Sequence, residues 1–153
     1  MNDFFFRKLV VYQKAIDMVD HVYDIIDSFP AYEQNALSSQ LRRAAISVPS
    51  NIAEGMGRFS LKERIHFVEI SYASLMETMC QIEIAARRHY IGKEQFESLQ
   101  QEIQEIAKTA SGLRTSLIEK KDNINSNQGE NEWKKEYSLS SLHSPLSSLN
   151  YYL

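Results

Sequence analysis

The stretch SLKERIHFVEISYASLMETMCQIEIAA, residues 60–86, decides the fold. Its apolar residues Leu61, Ile65, Val68, Tyr72, Leu75, Met79, Ile82 and Ala86 recur at alternating steps of four and three. That spacing gathers side chains onto one face of an α-helix. Ser60 and Glu63 stand in the Ser-x-x-Glu order of a capping box, which predicts where the helix begins. One amphipathic helix cannot hide such a stripe by itself, so the rest of the chain must supply partners.

Three further segments do so. Downstream, Phe96, Leu99, Ile103, Ile106, Ala110, Leu113 and Leu117 repeat the three-four spacing. Upstream, Leu9, Tyr12, Ile16, Val19, Tyr23 and Ile26 predict a helix over residues 8–29 that ends at Pro30, because proline forces the preceding residue out of the α region. Leu37, Leu41, Ala44, Val48 and Ile52 predict another over residues 33–57. Pro49 falls inside that pattern, but the period resumes in phase, so a kink is expected rather than a stop. Gly55-Met56-Gly57 reads as the helix end, and Gly92 as the end of the third helix or the start of the next connection. Short connections make successive helices antiparallel neighbours. The fold class is therefore all-α, an antiparallel up-down-up-down four-helix bundle with a mostly disordered C-terminal tail.

Composition sets the limits. The chain has 153 residues and a net charge of −3, which fits one domain and rules out a protein that is basic all over. Cys80 is its one cysteine, so an internal disulfide or a cysteine-based zinc site is excluded, and it reads as a small packing residue. No run of about 18 apolar residues exists, and Phe4-Phe5-Phe6 is too short for a signal peptide, so a cytoplasmic location is expected with no membrane contact. From Asp122 the text turns rich in Asn, Ser and Glu, dividing a bundle domain at 1–121 from a polar, mobile tail at 122–153. Leu139, Leu142, Leu146 and Leu149 fall at helical spacing there, but Pro145 and the surrounding serines weaken a helix.

Reactive constellations are sparse. Glu63-x-x-His66 has the spacing of a di-iron bundle ligand pair, yet such sites need two pairs and no other histidine supplies the second. No Gly-rich phosphate loop, Ser/His/Asp set or nucleophile elbow is present. The expectation is no catalytic, cofactor-binding or metal-binding residues and no small-molecule substrate.

Arg43, Ser47, Asn51, Glu54 and Arg58 share one face of the second helix beside its apolar stripe. With the following turn centred near residue 59, Arg43 falls near Glu77, Ser47 near Ser71, and Asn51 near Phe67 or Glu69. The expectation is a half-buried polar seam with Arg43 paired to Glu77; the alternative is an ordinary solvated face. Beside Pro49, a Ser or Asn side chain or a water should satisfy the carbonyl of Ala45. Arg42, Arg58, Lys62 and Arg64 form a candidate nucleic-acid contact on one rim, with pairing to nearby carboxylates as the plainer alternative. No aromatic stacking platform accompanies them. Val11, Met18 and Ile25 form a second apolar line on the first helix at steps of seven, and Phe67, Ile70 and Ile84 lie off the third-helix stripe. These six are the candidate interface of a homo-oligomer.

The run from Gln40 to Gly55, QLRRAAISVPSNIAEG, followed by Gly57-Arg58 and Ser60, carries a family resemblance. Leu9, Tyr12, Ala15, Val22-Tyr23, Phe29-Pro30, Phe67, Ala73-Ser74 and Glu77 support it. From about Phe6 to Leu117 the chain resembles the bacterial proteins encoded in intervening sequences of 23S rRNA genes. The resemblance implies a four-helix bundle assembled as a ring-like homopentamer, without enzymatic activity. A similar bundle is the accessory variability protein of diversity-generating retroelements, a basic pentamer that associates with reverse transcriptase and nucleic acid. That relative implies an RNA- or nucleic-acid-associated partner as the alternative role, although the acidic balance here departs from it.

Overall fold

The computed structural model describes residues 4–140, with side chains described to residue 127. Four helices follow in order: α1 Val10–Ile26, α2 Leu37–Met56, α3 Leu61–Arg87 and α4 Lys93–Ser140. Short 3-10 turns at Phe5–Lys8 and Ala31–Glu33 lead into α1 and α2. The chain divides into a unit over Met1–Ile118, which holds the bundle, and a second over Glu119–Leu153.

Helix ends explain the differences from the expected boundaries. α1 stops at Ile26 because the approach to Pro30 tightens: Ser28 and Phe29 donate backbone bonds to Ile25 and Ile26, three residues back. α2 begins at Leu37, whose N–H is taken by the Glu33 carboxylate at 3.1 Å, so Glu33 caps the helix instead of opening it. Ser60 is the N-cap of α3 with extended backbone, but its side chain makes no capping bond, and the expected capping box is not formed. Its carbonyl simply accepts the Arg64 N–H. α3 ends without glycine: His89 adopts φ 61°, Tyr90 N–H reaches Ala85 O at 2.9 Å, and His89 N–H reaches Ala86 O at 3.0 Å. This is a Schellman stop with histidine in the left-handed position. Gly92 opens α4, its N–H bonded to Gln95 Oε1 and its carbonyl to Phe96 N–H. α4 continues past Lys121, where loop composition was expected; once a helix is nucleated, extending it needs one hydrogen bond per residue and no buried face. The tail leucines Leu142, Leu146 and Leu149 lie outside the described residues.

The helices alternate in direction. Along α2 and α3, Ser47 meets Ser74, Val48 meets Ser71, and Gly55 meets Phe67, one number falling as the other rises. On α1 and α4, Lys14 meets Glu105 and His21 meets Glu102. The core holds Leu41, Val48 and Ile52 from α2, Leu75 and Ile82 from α3, and Leu99, Ile103 and Ile106 from α4. Full burial of each such side chain contributes roughly 1.5–3 kcal/mol.

α1 turns a different face inward from the one expected. Val11, Ala15, Met18, Val22 and Ile25 are buried in the bundle core, Met18 completely. Val11, Met18 and Ile25 are therefore spent inside the chain and cannot form an oligomer interface. Of the line expected inside, Ile26 is buried, Leu9, Tyr12 and Val19 are half-buried, and Ile16 and Tyr23 are exposed. Both lines are apolar, and the inner one contains Ala15, whose small side chain lets helices approach closely. On α3, Val68, Leu75 and Ile82 are buried as expected, but Ser71, Ser74, Thr78, Gln81 and Ala85 complete the buried face, whereas Tyr72 is exposed. Cys80 is exposed and packs into no core.

Candidate functional site

Polar groups between helices are bonded mainly to one another. In the α2–α3 seam, Asn51 Nδ2 donates to Ser47 O at 2.7 Å and to Ser47 Oγ at 2.9 Å. Ser74 Oγ donates to Ser47 Oγ at 3.0 Å, and Ser71 Oγ to Val48 O at 2.8 Å. Ser47 and Asn51 thus join a seam, but its members on α3 are Ser71 and Ser74. Arg43 and Glu77 are both exposed and do not pair; Glu77 instead accepts from Gln81 Nε2 at 3.0 Å. Long charged side chains swing to water when small hydroxyls already fill the gap. Around Pro49 the side-chain bonds end on the carbonyls of Ile46, Ser47 and Val48, not on that of Ala45.

Glu54 lies outside the seam. It is exposed and pairs with Arg58 one turn on. The Arg58 guanidinium lies 4.6 Å from the Phe67 ring centroid, a cation–π contact, while Arg64 Nε bonds the Arg58 carbonyl at 2.7 Å. Phe67 passes over Gly55, where an added Cβ would stand 2.7 Å from the Phe67 Cβ. Gly55 is thus a close-approach residue inside α2, and the helix ends at Gly57 in ordinary right-handed backbone. Arg58, Lys62 and Arg64 cluster at the α2–α3 turn together with Phe59, which is fully exposed. Arg42 does not join them: it lies about 24 Å away along α2, at roughly 1.5 Å per residue, and stacks on Tyr23 at 5.9 Å. Half of the expected basic rim is thereby engaged elsewhere, Arg42 on Tyr23 and Arg58 on Glu54 and Phe67. Phe59 is a single aromatic at a turn, so it forms no stacking platform that the sequence pattern would mark.

Charged pairs join α1 to α4. Lys14 meets Glu105 at 2.5 Å, and His21 Nδ1 meets Glu102 at 2.9 Å. The hydrogen bond to Glu102 raises the His21 pKa, and that to Lys14 lowers the Glu105 pKa. At the end of the bundle that holds the α1–α2 and α3–α4 turns, Tyr90 OH donates to Glu33 Oε1 at 2.9 Å and lies 3.0 Å from Tyr32 OH. The Tyr32 contact is the main cause of a raised Tyr90 pKa. Glu63 and His66 are both exposed.

The outer face of α1 and α2 is different in kind. Ile16 and Ile46 are 39% and 41% exposed along a groove of about 260 Å³ that Phe6, Val19 and Pro49 also line, and Tyr23, outside the groove's lining, is exposed on α1. Of the expected interface residues on α3, Ile84 is exposed, and Phe67 and Ile70 are half-buried.

Helix order, alternating direction and the serine-lined α2–α3 seam define a small antiparallel four-helix bundle. Residues 7–112 match the model of the 23S rRNA-intervening sequence protein family, and the chain belongs to that family. It is also similar to a solved Bacteroides thetaiotaomicron protein of unknown function from the S23 ribosomal protein family. The identity is 26% and the TM-score 0.63, covering 69% of this chain and 98% of that one. No curated protein matches.

Proposed function

We propose that the chain is a non-enzymatic helical scaffold that works as a homo-oligomer in the cytoplasm, pentameric as the family resemblance implies. The observation that carries this reading is the pair of exposed apolar residues Ile16 and Ile46 that line the α1–α2 groove, with Tyr23 exposed on α1 beyond it. Aligned exposed apolar side chains mark contact surfaces more often than isolated ones do. The satisfied serine seam and tyrosine cluster support a structural role for the interior polar groups. Light scattering on the purified chain tests the reading, a mass several times 17.7 kDa being expected.

A second reading, an RNA-associated accessory protein, is favoured by Phe59, fully exposed beside Lys62 and Arg64, and by the family's name. Exposed aromatics flanked by cations stack on unpaired bases. Filter binding to single-stranded RNA should weaken steeply with added salt and with Phe59→Ala. Absence of binding at low salt would leave the scaffold alone.

A further inference from the structure

A groove of about 340 Å³ lies between α1 and α4, toward the end of the bundle that holds the α1–α2 and α3–α4 turns. Buried Ile25 and Leu99 form its apolar floor, Ser98 lies beside them, and Asp24 and Glu94 contribute a carboxylate from each helix. Asp17, Asp20, Asp24 and Asp27, all exposed, recur along α1 and its C-cap at steps of three and four. Among the described residues, neither their side chains nor that of Glu94 make an ion pair or a hydrogen bond. The nearby cations are already engaged, Lys14 by Glu105, His21 by Glu102 and Lys93 by Glu97. α1 ends here with no basic residue in its last turn, so the partial negative charge of the helix terminus adds to that of the aspartates.

We propose that the α1–α4 groove docks a basic segment of a partner protein, whose arginine or lysine side chains meet Asp24, Glu94 and the aspartate row. The apolar floor accepts the methylene stem of a long cationic side chain, while its charged head reaches a carboxylate at the edge. Arginine suits this place best, because its guanidinium is weakly hydrated and grips a carboxylate with two donors. The row from Asp17 to Asp27 spans about 15 Å at roughly 1.5 Å per residue, further than one side chain covers. Cations repeated along a polypeptide match that length, and a small cation does not. The acidic field of this face repels nucleic acid, so the surface is separate in kind from the basic turn around Phe59. The proposal does not depend on the oligomer reading.

Fluorescence anisotropy of a labelled peptide of alternating arginine and leucine, titrated with the full chain at low salt, tests this. Saturable binding that weakens steeply with added salt is expected, and the glutamate–leucine analogue should not bind. Asp24→Lys/Glu94→Lys should weaken binding about tenfold or more. Ser98→Phe, which fills the groove without changing its charge, should weaken binding as well. Glu63→Lys/Glu77→Lys changes the net charge equally on α3, which lines no part of the groove, and should leave binding nearly unchanged. Circular dichroism confirms that each variant stays helical. No binding at low salt, or equal losses in the two double variants, would overturn the proposal. Displacement of the peptide by an equal concentration of spermidine would overturn it too, since any small polycation would then suffice. A changed assembly mass in Asp24→Lys/Glu94→Lys would assign the groove to a second copy of the chain instead.

Discussion

The Ser71 hydroxyl donates to the Val48 carbonyl at 2.8 Å, joining α3 to α2 at the residue before Pro49. Ser71 is almost fully buried, so this bond forms away from water and lies at a fixed height of both helices. Ser74 and Ser47 repeat the link one turn along. Ser71→Ala should cost about 1 kcal/mol, the net worth of one intramolecular hydrogen bond, read from the urea midpoint. Arg43→Ala should change monomer stability by less than about 0.5 kcal/mol, because its side chain is solvated. A larger loss at Arg43 than at Ser71 would return the seam to its charged residues.

Gly55→Ala tests the closest approach of α2 and α3. Alanine favours helix by about 1 kcal/mol, but the new Cβ meets the Phe67 Cβ, which no rotamer change can move. Overpacking costs about 1–3 kcal/mol, so a net loss is expected in thermal unfolding. Phe67→Ala should not rescue it, since alanine keeps the clashing atom.

How much of this was legible in the sequence depended on each helix having one apolar line. α4 carries one, and Leu99, Ile103, Ile106 and Ala110 are all buried as its period predicts. α1 carries two, and spacing alone does not say which faces inward; Ala15 and Val22 tip the balance toward the line of Met18. On α3 the buried Ser71, Ser74 and Thr78 escape any count of apolar residues, because their burial is offset by hydrogen bonds and not by hydrophobicity. Antiparallel numbering placed Ser71 opposite Ser47, but Ser74 is the one that bonds it and Ser71 reaches the next residue, Val48, since a small turn of α3 changes the partner. The Arg42 departure from the turn cluster follows from helix length and was legible from the start.

His89 holds a left-handed conformation that costs a non-glycine residue roughly 1–2 kcal/mol. His89→Gly removes that cost at some loss of unfolded-state restraint, so stability should rise by about 1 kcal/mol. A lower melting temperature in the glycine variant would show that the imidazole itself contributes.

The raised His21 pKa gives stability a definite pH dependence. Its contribution is fully present below the unfolded histidine value, about 6.5, and is lost as pH rises through the folded value. The ring is more than half exposed, so solvent screening limits the contribution to at most about 1 kcal/mol. The urea midpoint should fall slightly between pH 5.5 and 8, and His21→Ala should flatten that fall. An equal slope in both proteins would assign the dependence elsewhere.

Sedimentation equilibrium of the full chain at micromolar concentration tests the central claim, that an apolar face on α1 and α2 makes this bundle an assembling scaffold. The account predicts a mass several times 17.7 kDa that falls toward one chain when Ile46 is changed to Glu. A homogeneous species of 17.7 kDa for the unaltered chain would contradict it.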